Sequence, residues 1–139
     1  MPAASRPNLR PDVELLVINF LNAQPDFIEM AEIVQFSNDI PYFQDMAQNA
    51  AYGRVTRGAG LTSRFMSGPV IDIDVFAFSY DLSVKVSLIC ENLMLYMLFG
   101  EKYPEGAVYK VTEIAGPHWI AGENQDLTRY GATYEVRAR

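Results

Sequence analysis

Residues 70–78 read VIDIDVFAF, and this stretch decides the fold class. Small or branched aliphatic residues occupy every second position of this stretch. Such an alternation is typical of a β-strand with one face on a core. The face assigned to the core carries Ile71, Ile73, Val75 and Ala77. The opposite face carries Asp72, Asp74, Phe76 and Phe78. We therefore expect a strand whose second face holds charges beside aromatic rings that one chain alone hides poorly.

A second strand precedes this one, and a long helix follows it. Residues 52–57 form a predicted strand, and residues 58–68 are too many for a tight hairpin and too few for an ordinary crossover helix. We therefore expect the strands at residues 52–57 and 70–78 to pair in antiparallel fashion, with a long protruding loop between them. Residues 81–99 form a predicted helix that Gly100 caps. Its apolar face carries Leu82, Val86, Ile89, Leu93, Tyr96 and Met97.

The flanking segments complete the predicted order of elements. A first amphipathic helix begins at Pro11 and ends near Pro25, and residues 107–115 and 129–137 form two further strands. Residues 26–50 fit either helical spacing or a short strand over residues 32–36. Residues 1–10 contain two prolines and no periodicity, which predicts a mobile arm.

These elements predict one α+β domain over residues 11–139. Two amphipathic helices cover one face of a mostly antiparallel sheet of four to five strands, which gives two layers. The second face of the sheet must meet water or a partner. Its aromatic residues favour an oligomer over a monomer.

The composition excludes several classes of protein. The net charge is −6 and the pI is about 4.7, so the surface repels a phosphate backbone and nucleic-acid binding is not the expected role. The single cysteine forms no disulfide within the chain. We find no signal-peptide pattern, and the apolar runs are shorter than the roughly 20 residues that span a bilayer. We expect an intracellular protein without a membrane partner.

Residues for catalysis are few. Cys90 has helical spacing to Val86 and Leu93, which favours an inert thiol in the core. His118 has no metal ligand at the usual spacing, so a surface position in a loop is favoured. Asp72 and Asp74 share a strand face, as ordinary half-exposed strand residues do. The sequence therefore predicts no enzyme, no cofactor and no metal.

Two further motifs are weak. Gly58 and Gly60 begin a pattern similar to a dinucleotide-binding fingerprint, but Ser63 stands at the third glycine position and strands flank the loop on both sides. Arg54, Arg57 and Arg64 could contact phosphate. Because the domain is acidic overall, we favour a protein contact or simple solvation as the role of these three arginines.

The order of motifs, from residue 11 to residue 137, resembles the tail terminator proteins of long-tailed bacteriophages. The resemblance begins with the opening PDVE helix at residue 11 and the RVTR strand at residue 54, which leads into GAG. It continues with the IDIDV strand at residue 71 before the long helix. It ends with VTE at residue 111, GPHW at residue 116, RY at residue 129 and the TYEV strand at residue 133.

The resemblance implies a structural role in the virion. A tail terminator forms a ring, typically of six subunits, on the last ring of the major tail tube protein. There it stops tube growth and offers a docking face to the head–tail connector. DNA is only cargo that passes through the ring. The implied location is the head-proximal end of the tail, after assembly in the host cytoplasm.

A ring subunit needs contact surfaces, and two loops are the candidates. The first, over residues 58–68, follows Arg57 and carries Arg64, Phe65 and Met66 at its tip. The second carries His118 and Trp119. Arginine and aromatic residues are typical anchors of protein interfaces. Asp72 and Asp74 are candidates to face the lumen, where negative charge would reduce sticking of DNA.

Three other interpretations remain open. The chain could be another subunit of the head–tail connector. It could be a small α+β module that binds an apolar ligand or peptide between sheet and helices. An enzyme that uses His118 with Asp72 or Glu113 is the least favoured of the three.

Overall fold

The computed structural model describes residues 12–58, 69–98, 100, 102–104, 106–122 and 126–139, and the predicted arm lies outside this range. Within the described range there are three α-helices, namely α1 (Val13–Asn22), α2 (Pro25–Ile28) and α3 (Tyr80–Tyr96). The six strands are β1 (Ile33–Ser37), β2 (Ala50–Arg57), β3 (Val70–Ala77), β4 (Lys102–Tyr103), β5 (Gly106–Ile120) and β6 (Thr128–Ala138).

All six strands join one sheet in the order β1-β2-β3-β6-β5-β4. Every neighbouring pair is antiparallel except β1 and β2, which are parallel. The predicted α+β architecture is confirmed, including the antiparallel pair of β2 and β3. Residues 59–68 of the predicted loop between them lie outside the described residues. The sheet has one strand more than the predicted four to five, because β4 adds a pair of residues at the edge.

The helix-facing side of β3 carries the main core. Ile71, Ile73, Val75 and Ala77 are all at most 1% exposed, as the alternation predicted. α3 packs over β3, β5 and β6, while α1 packs over β1 and β2. Burial of these aliphatic side chains is the principal stabilising contribution, at about 1.5–3 kcal/mol for each large one.

Both long helices begin at side-chain caps. Asp12 accepts a hydrogen bond from the backbone N–H of Leu15 at the start of α1, and Ser79 accepts one from Leu82 at the start of α3. Each cap satisfies one backbone donor that the first turn leaves free. α3 ends at Tyr96, three residues before the predicted end.

Residues 26–50 contain part of both predicted alternatives. The helical spacing corresponds only to the single turn of α2, and the strand alternative corresponds to β1. The ring of Phe36, which is 4% exposed, packs directly over Gly53 of the neighbouring strand β2, so a side chain at Gly53 would clash with this ring. Glycine at this position is therefore required by the packing of Phe36.

The second face of the sheet has a small core of its own. Met46, Ala50, Tyr52 and Phe76 are each at most 8% exposed and form one cluster. The segment before β2, which includes a 3-10 turn at Phe43–Asp45, supplies part of this cover. The expectation that one chain hides Phe76 poorly was therefore wrong, because residues 40–47 fold across this face.

Among the described residues, α3 is the longest helix, and none of the helices is long and apolar enough to cross a membrane.

Candidate subunit-contact surfaces

Three aromatic side chains gather where α3 begins and β5 ends. Trp119 is 59% exposed and stands opposite Tyr130 in the ladder between β5 and β6. Tyr80, at the start of α3, is 54% exposed, and its ring lies edge-on to Tyr130 at 6.1 Å between centroids. A hydrogen bond between the two hydroxyls raises the pKa of Tyr130. We call Tyr80, Trp119 and Tyr130 the aromatic end.

His118 and Trp119 lie in a strand, and their predicted placement in a loop was wrong. β5 continues through Pro117 to Ile120. The pairing of β5 with β6 shifts register between residues 113 and 118, which accommodates Gly116 and Pro117 within the strand. Side chains alternate along a strand, so His118 faces the side of the sheet opposite to Trp119. The exposed His118 ring places Nδ1 2.8 Å from the carbonyl oxygen of Gly116, which fits a proton on Nδ1.

Arg57 ends β2, next to the start of the long loop. Its backbone N–H donates to the carboxylate of Glu14 at 3.2 Å, and its residue is exposed. The other three candidates of this loop, Arg64, Phe65 and Met66, lie outside the described residues. Their role as contact residues stays a prediction.

The two predicted contact regions lie toward opposite ends of the sheet. The ladder places Arg57 in a row with Ile71, and it places Trp119 in a row with Val75. The two rows are four residues apart along β3, which is about 13 Å at about 3.3 Å per residue. The sequence did not predict this arrangement, because it depends on the strand register.

Asp72 and Asp74 both lie on the second face of the sheet. Asp72 accepts a hydrogen bond from the hydroxyl of Thr133 at 2.7 Å and is half-buried. Asp74 is 6% exposed, and one carboxylate oxygen binds Arg54 at 3.0 Å and Arg129 at 2.9 Å. Two guanidinium groups thus more than balance the charge of Asp74. The lumen-facing role of both aspartates stays a prediction, and Asp72 retains the more available negative charge.

The same two arginines clamp an aromatic ring. The guanidinium carbons of Arg54 and Arg129 lie 5.2 Å and 5.5 Å from the ring centroid of Phe76, within the range of cation–π attraction. The sequence groups Arg54 with Arg57 and Arg64, and it does not indicate the partnership of Arg54 with Arg129. The signal was the alternation that puts Arg54, Asp74 and Arg129 on one face, but only the register brings them together.

A group of ionisable side chains lies between α3 and the strands beneath it. Burial raises the pKa of Glu113, and a hydrogen bond with the nearby Glu91 together with its negative charge raises it further. The fully buried hydroxyl of Tyr134 has no hydrogen-bond partner, and burial raises its pKa, as do the nearby acidic groups.

Cys90 is 1% exposed, and burial raises the pKa of its thiol, which suits an inert core residue. The described part of the chain contains no group of three or more His, Cys, Asp or Glu side chains that could hold a metal ion.

The fold is similar to that of a chain in a solved structure of the virion of a native gene transfer agent (GTA) particle. The TM-score is 0.61, and the likeness covers 91% of this chain and 93% of that chain. The sequence identity is 12%, so the likeness shows a shared fold. No protein-family model matches the chain, and no curated protein matches it either.

Proposed function

We propose that this chain is a structural subunit of a phage-like virion that caps the tail tube. The chain forms a ring, stops polymerisation of the tube and offers a docking surface to the head. The observation that carries the proposal is the shared fold, over 91% of this chain, with a chain from the virion of a gene transfer agent particle. The order of sequence motifs supports the finer assignment to a tail terminator.

The position of the contact regions supports a capping role. A cap has two axial neighbours, the major tail tube protein on one side and the connector on the other. Arg57 lies toward one end of the sheet, and the aromatic end lies toward the other. A subunit with contact residues at both ends can meet both neighbours at once.

The charge of the chain fits a channel through which DNA passes. The net charge is −6, so the ring repels phosphate on average and does not retain the genome. On the second face of the sheet, Arg54 and Arg129 are held by Asp74, which reduces the positive charge open to DNA. The proposal includes no catalytic step and no cofactor, since the work done is assembly.

Two alternative functions are supported by some of the same observations. Another head–tail connector subunit would also carry contacts at both ends, and the length of the tail separates the two roles. A binding module for an apolar ligand has weaker support. A surface depression beside α1 is lined by Asp12, Glu14, Ser37 and Asn38 as well as Leu15 and Ile18. Its lining is about half polar and includes two carboxylates, which suits an apolar ligand poorly.

Disruption of the gene in its virus tests the proposal. We expect a lysate that contains overlong or irregular tubes beside filled heads without tails, as scored by electron microscopy. A plasmid copy of the intact gene should restore tails of uniform length. Tails of normal length without the gene, or intact virions, would contradict a capping role. Filled heads without tails beside tubes of normal length would indicate another connector role.

A further inference from the structure

One lateral edge of the sheet is acidic. Between Asp12 and Ile40 the chain carries six acidic residues and no lysine or arginine. This segment includes α1, α2 and the edge strand β1. We call Asp26, Glu29 and Glu32 the acidic edge, because they lie in and beside α2, next to β1. Among the described residues, no ion pair involves any of the three.

Among the described residues, cations predominate at the opposite lateral edge. Lys102 lies in β4, the last strand of the sheet, and Lys110 lies near the start of β5. Arg139 follows β6, and its guanidinium carbon lies 4.6 Å from the ring centroid of the exposed Tyr109. We call Lys102, Lys110 and Arg139 the basic edge. Glu101 and Glu105 are close to Lys102 in the sequence and lie outside the described residues, and Glu113 on β5 is engaged with Glu91 of α3.

Both edges also expose apolar side chains. Ile28 and Ile33 lie at the acidic edge and are 67% and 45% exposed, while Tyr109 and Ile114 on β5 are 43% and 45% exposed. Protein interfaces typically combine an apolar centre with a charged rim. Each edge therefore has the composition of an interface, with the opposite sign of charge.

The two edges cannot neutralise each other within one chain. Five strand spacings of about 4.8 Å separate β1 from β4, which gives about 24 Å. Because one edge is acidic and the other basic, two copies fit together head to tail. Such a contact uses a different surface on each partner and closes into a ring when the rotation between copies allows it.

We propose that the acidic edge of one copy docks on the basic edge of the next and that this is the lateral contact of the ring. The partner is a second copy of this chain. The inference rests on the proposed function, since a cap of the tube must be a closed ring. It deepens that function by naming the two surfaces that meet.

Side chains make this contact, and strand pairing does not extend across it. The amide of Asn22 occupies the backbone N–H and C=O of Phe36 at the open edge of β1. The open edge of β5 contains Pro117 and register shifts at residues 108–110 and 113–118. The Asn22 amide at β1 and the proline and register shifts in β5 both disfavour pairing with a strand of another copy. A contact through charged side chains also fixes which copy follows which, because two like edges repel each other.

Charge reversal at each edge tests the proposal. The first variant carries Lys102→Glu and Lys110→Glu, and the second carries Glu29→Lys and Glu32→Lys. Lys85→Glu on the exposed surface of α3 and Asp45→Lys in the 3-10 turn are matched controls away from both edges. Association of the purified full chain is measured by sedimentation velocity at low and high salt, with thermal melting to confirm that each variant is folded.

We expect the wild type and both controls to associate and the association to weaken with salt. Each double variant alone should associate about tenfold more weakly or worse, since like charges then meet. An equimolar mixture of the two double variants should recover rings in which they alternate, because one has two acidic edges and the other two basic edges.

Two results would overturn the inference. If the wild type forms rings and both double variants form them equally well, the assignment of the edges is wrong while the capping role stands. If the wild type associates neither alone nor on tail tubes, both the edge contact and the capping role fail.

Discussion

The side chain of Asn22 binds both outward-facing backbone groups of Phe36. Its amide nitrogen donates to the carbonyl oxygen of Phe36 at 2.9 Å, and its amide oxygen accepts from the N–H of Phe36, also at 2.9 Å. Asn22 is the last residue of α1, and Phe36 lies in the edge strand β1. One side chain thus fastens the helix to the sheet and closes the middle of an edge that would otherwise attract another strand.

Replacement of Asn22 by alanine should destabilise the chain by about 1–3 kcal/mol, because two backbone groups lose their partner. The measurement is the free energy of unfolding in urea. Asn92→Ala is the control, since Asn92 is exposed on α3 and alanine favours a helix there. Equal stability of the Asn22→Ala variant and the wild type would show that water replaces the amide without loss.

Replacement of Asp74 by asparagine should cost about 1–3 kcal/mol, since Arg54 and Arg129 would then face each other across a neutral group. Both arginine side chains are 30% exposed, so water relieves part of the repulsion. Asp72→Asn is the matched control, because its amide oxygen can still accept from Thr133. The measurement is the free energy of unfolding in urea, compared between the two variants. A control that costs as much as Asp74→Asn would contradict a special role for the arginine pair.

The pair of Glu91 and Glu113 should make stability depend on pH. The pKa of Glu113 is raised in the fold by burial and by Glu91, so the folded state binds the proton more tightly than the unfolded state. This contribution is fully present below the unfolded pKa of about 4.5 and is lost as the pH rises through the folded value. Above that value the two carboxylates repel each other.

Glu91→Gln should therefore raise the melting temperature at pH 7.5, by about 1–3 °C. The gain should shrink or vanish at pH 4, because the raised pKa of Glu113 favours its neutral form there. Asp45→Asn, on the exposed surface and outside the acidic edge, controls for the change of net charge. A gain of the same size at both pH values would contradict the coupling between Glu91 and Glu113.

Trp119→Ala should leave the fold nearly unchanged, because the side chain is 59% exposed, yet it should weaken binding to an axial neighbour. Removal of an aromatic anchor typically costs at least about 2 kcal/mol, or roughly 30-fold in affinity. Leu88→Ala, which truncates another exposed apolar side chain on α3, is the control. Binding to tail tubes and to the connector, measured by pelleting, should separate the two variants. Unchanged binding to both would remove the aromatic end from the contact surface.

Local periodicity was enough to predict most of the fold. The alternation in residues 70–78 identified both faces of β3, and the helical spacing identified α1 and α3. Residues 40–47 could not be predicted, because a 3-10 turn and an extended segment have no periodic signal. Their packing over Phe76 is a tertiary effect, so the burial of that ring could not be foreseen.

The contact surfaces were only partly predictable. Residue type alone suggested Trp119 as a contact residue, and its side chain is exposed. Gly116 and Pro117 led to the prediction of a loop, but strand β5 continues through both residues. The partnership of Arg54 with Arg129 depends on the register of three strands. Tyr80 joins Trp119 and Tyr130 only because α3 begins beside the end of β5. Distances along the sequence carry no such information.

The central claim is that the chain caps a growing tail tube, and tube length measures this most directly. Purified tube protein of the same virion is polymerised with and without this chain, and tube lengths are scored by electron microscopy. The account predicts that added protein stops growth and leaves a ring at one end of each tube. Tubes that grow to the same lengths with bare ends, at saturating amounts of folded protein, would contradict it.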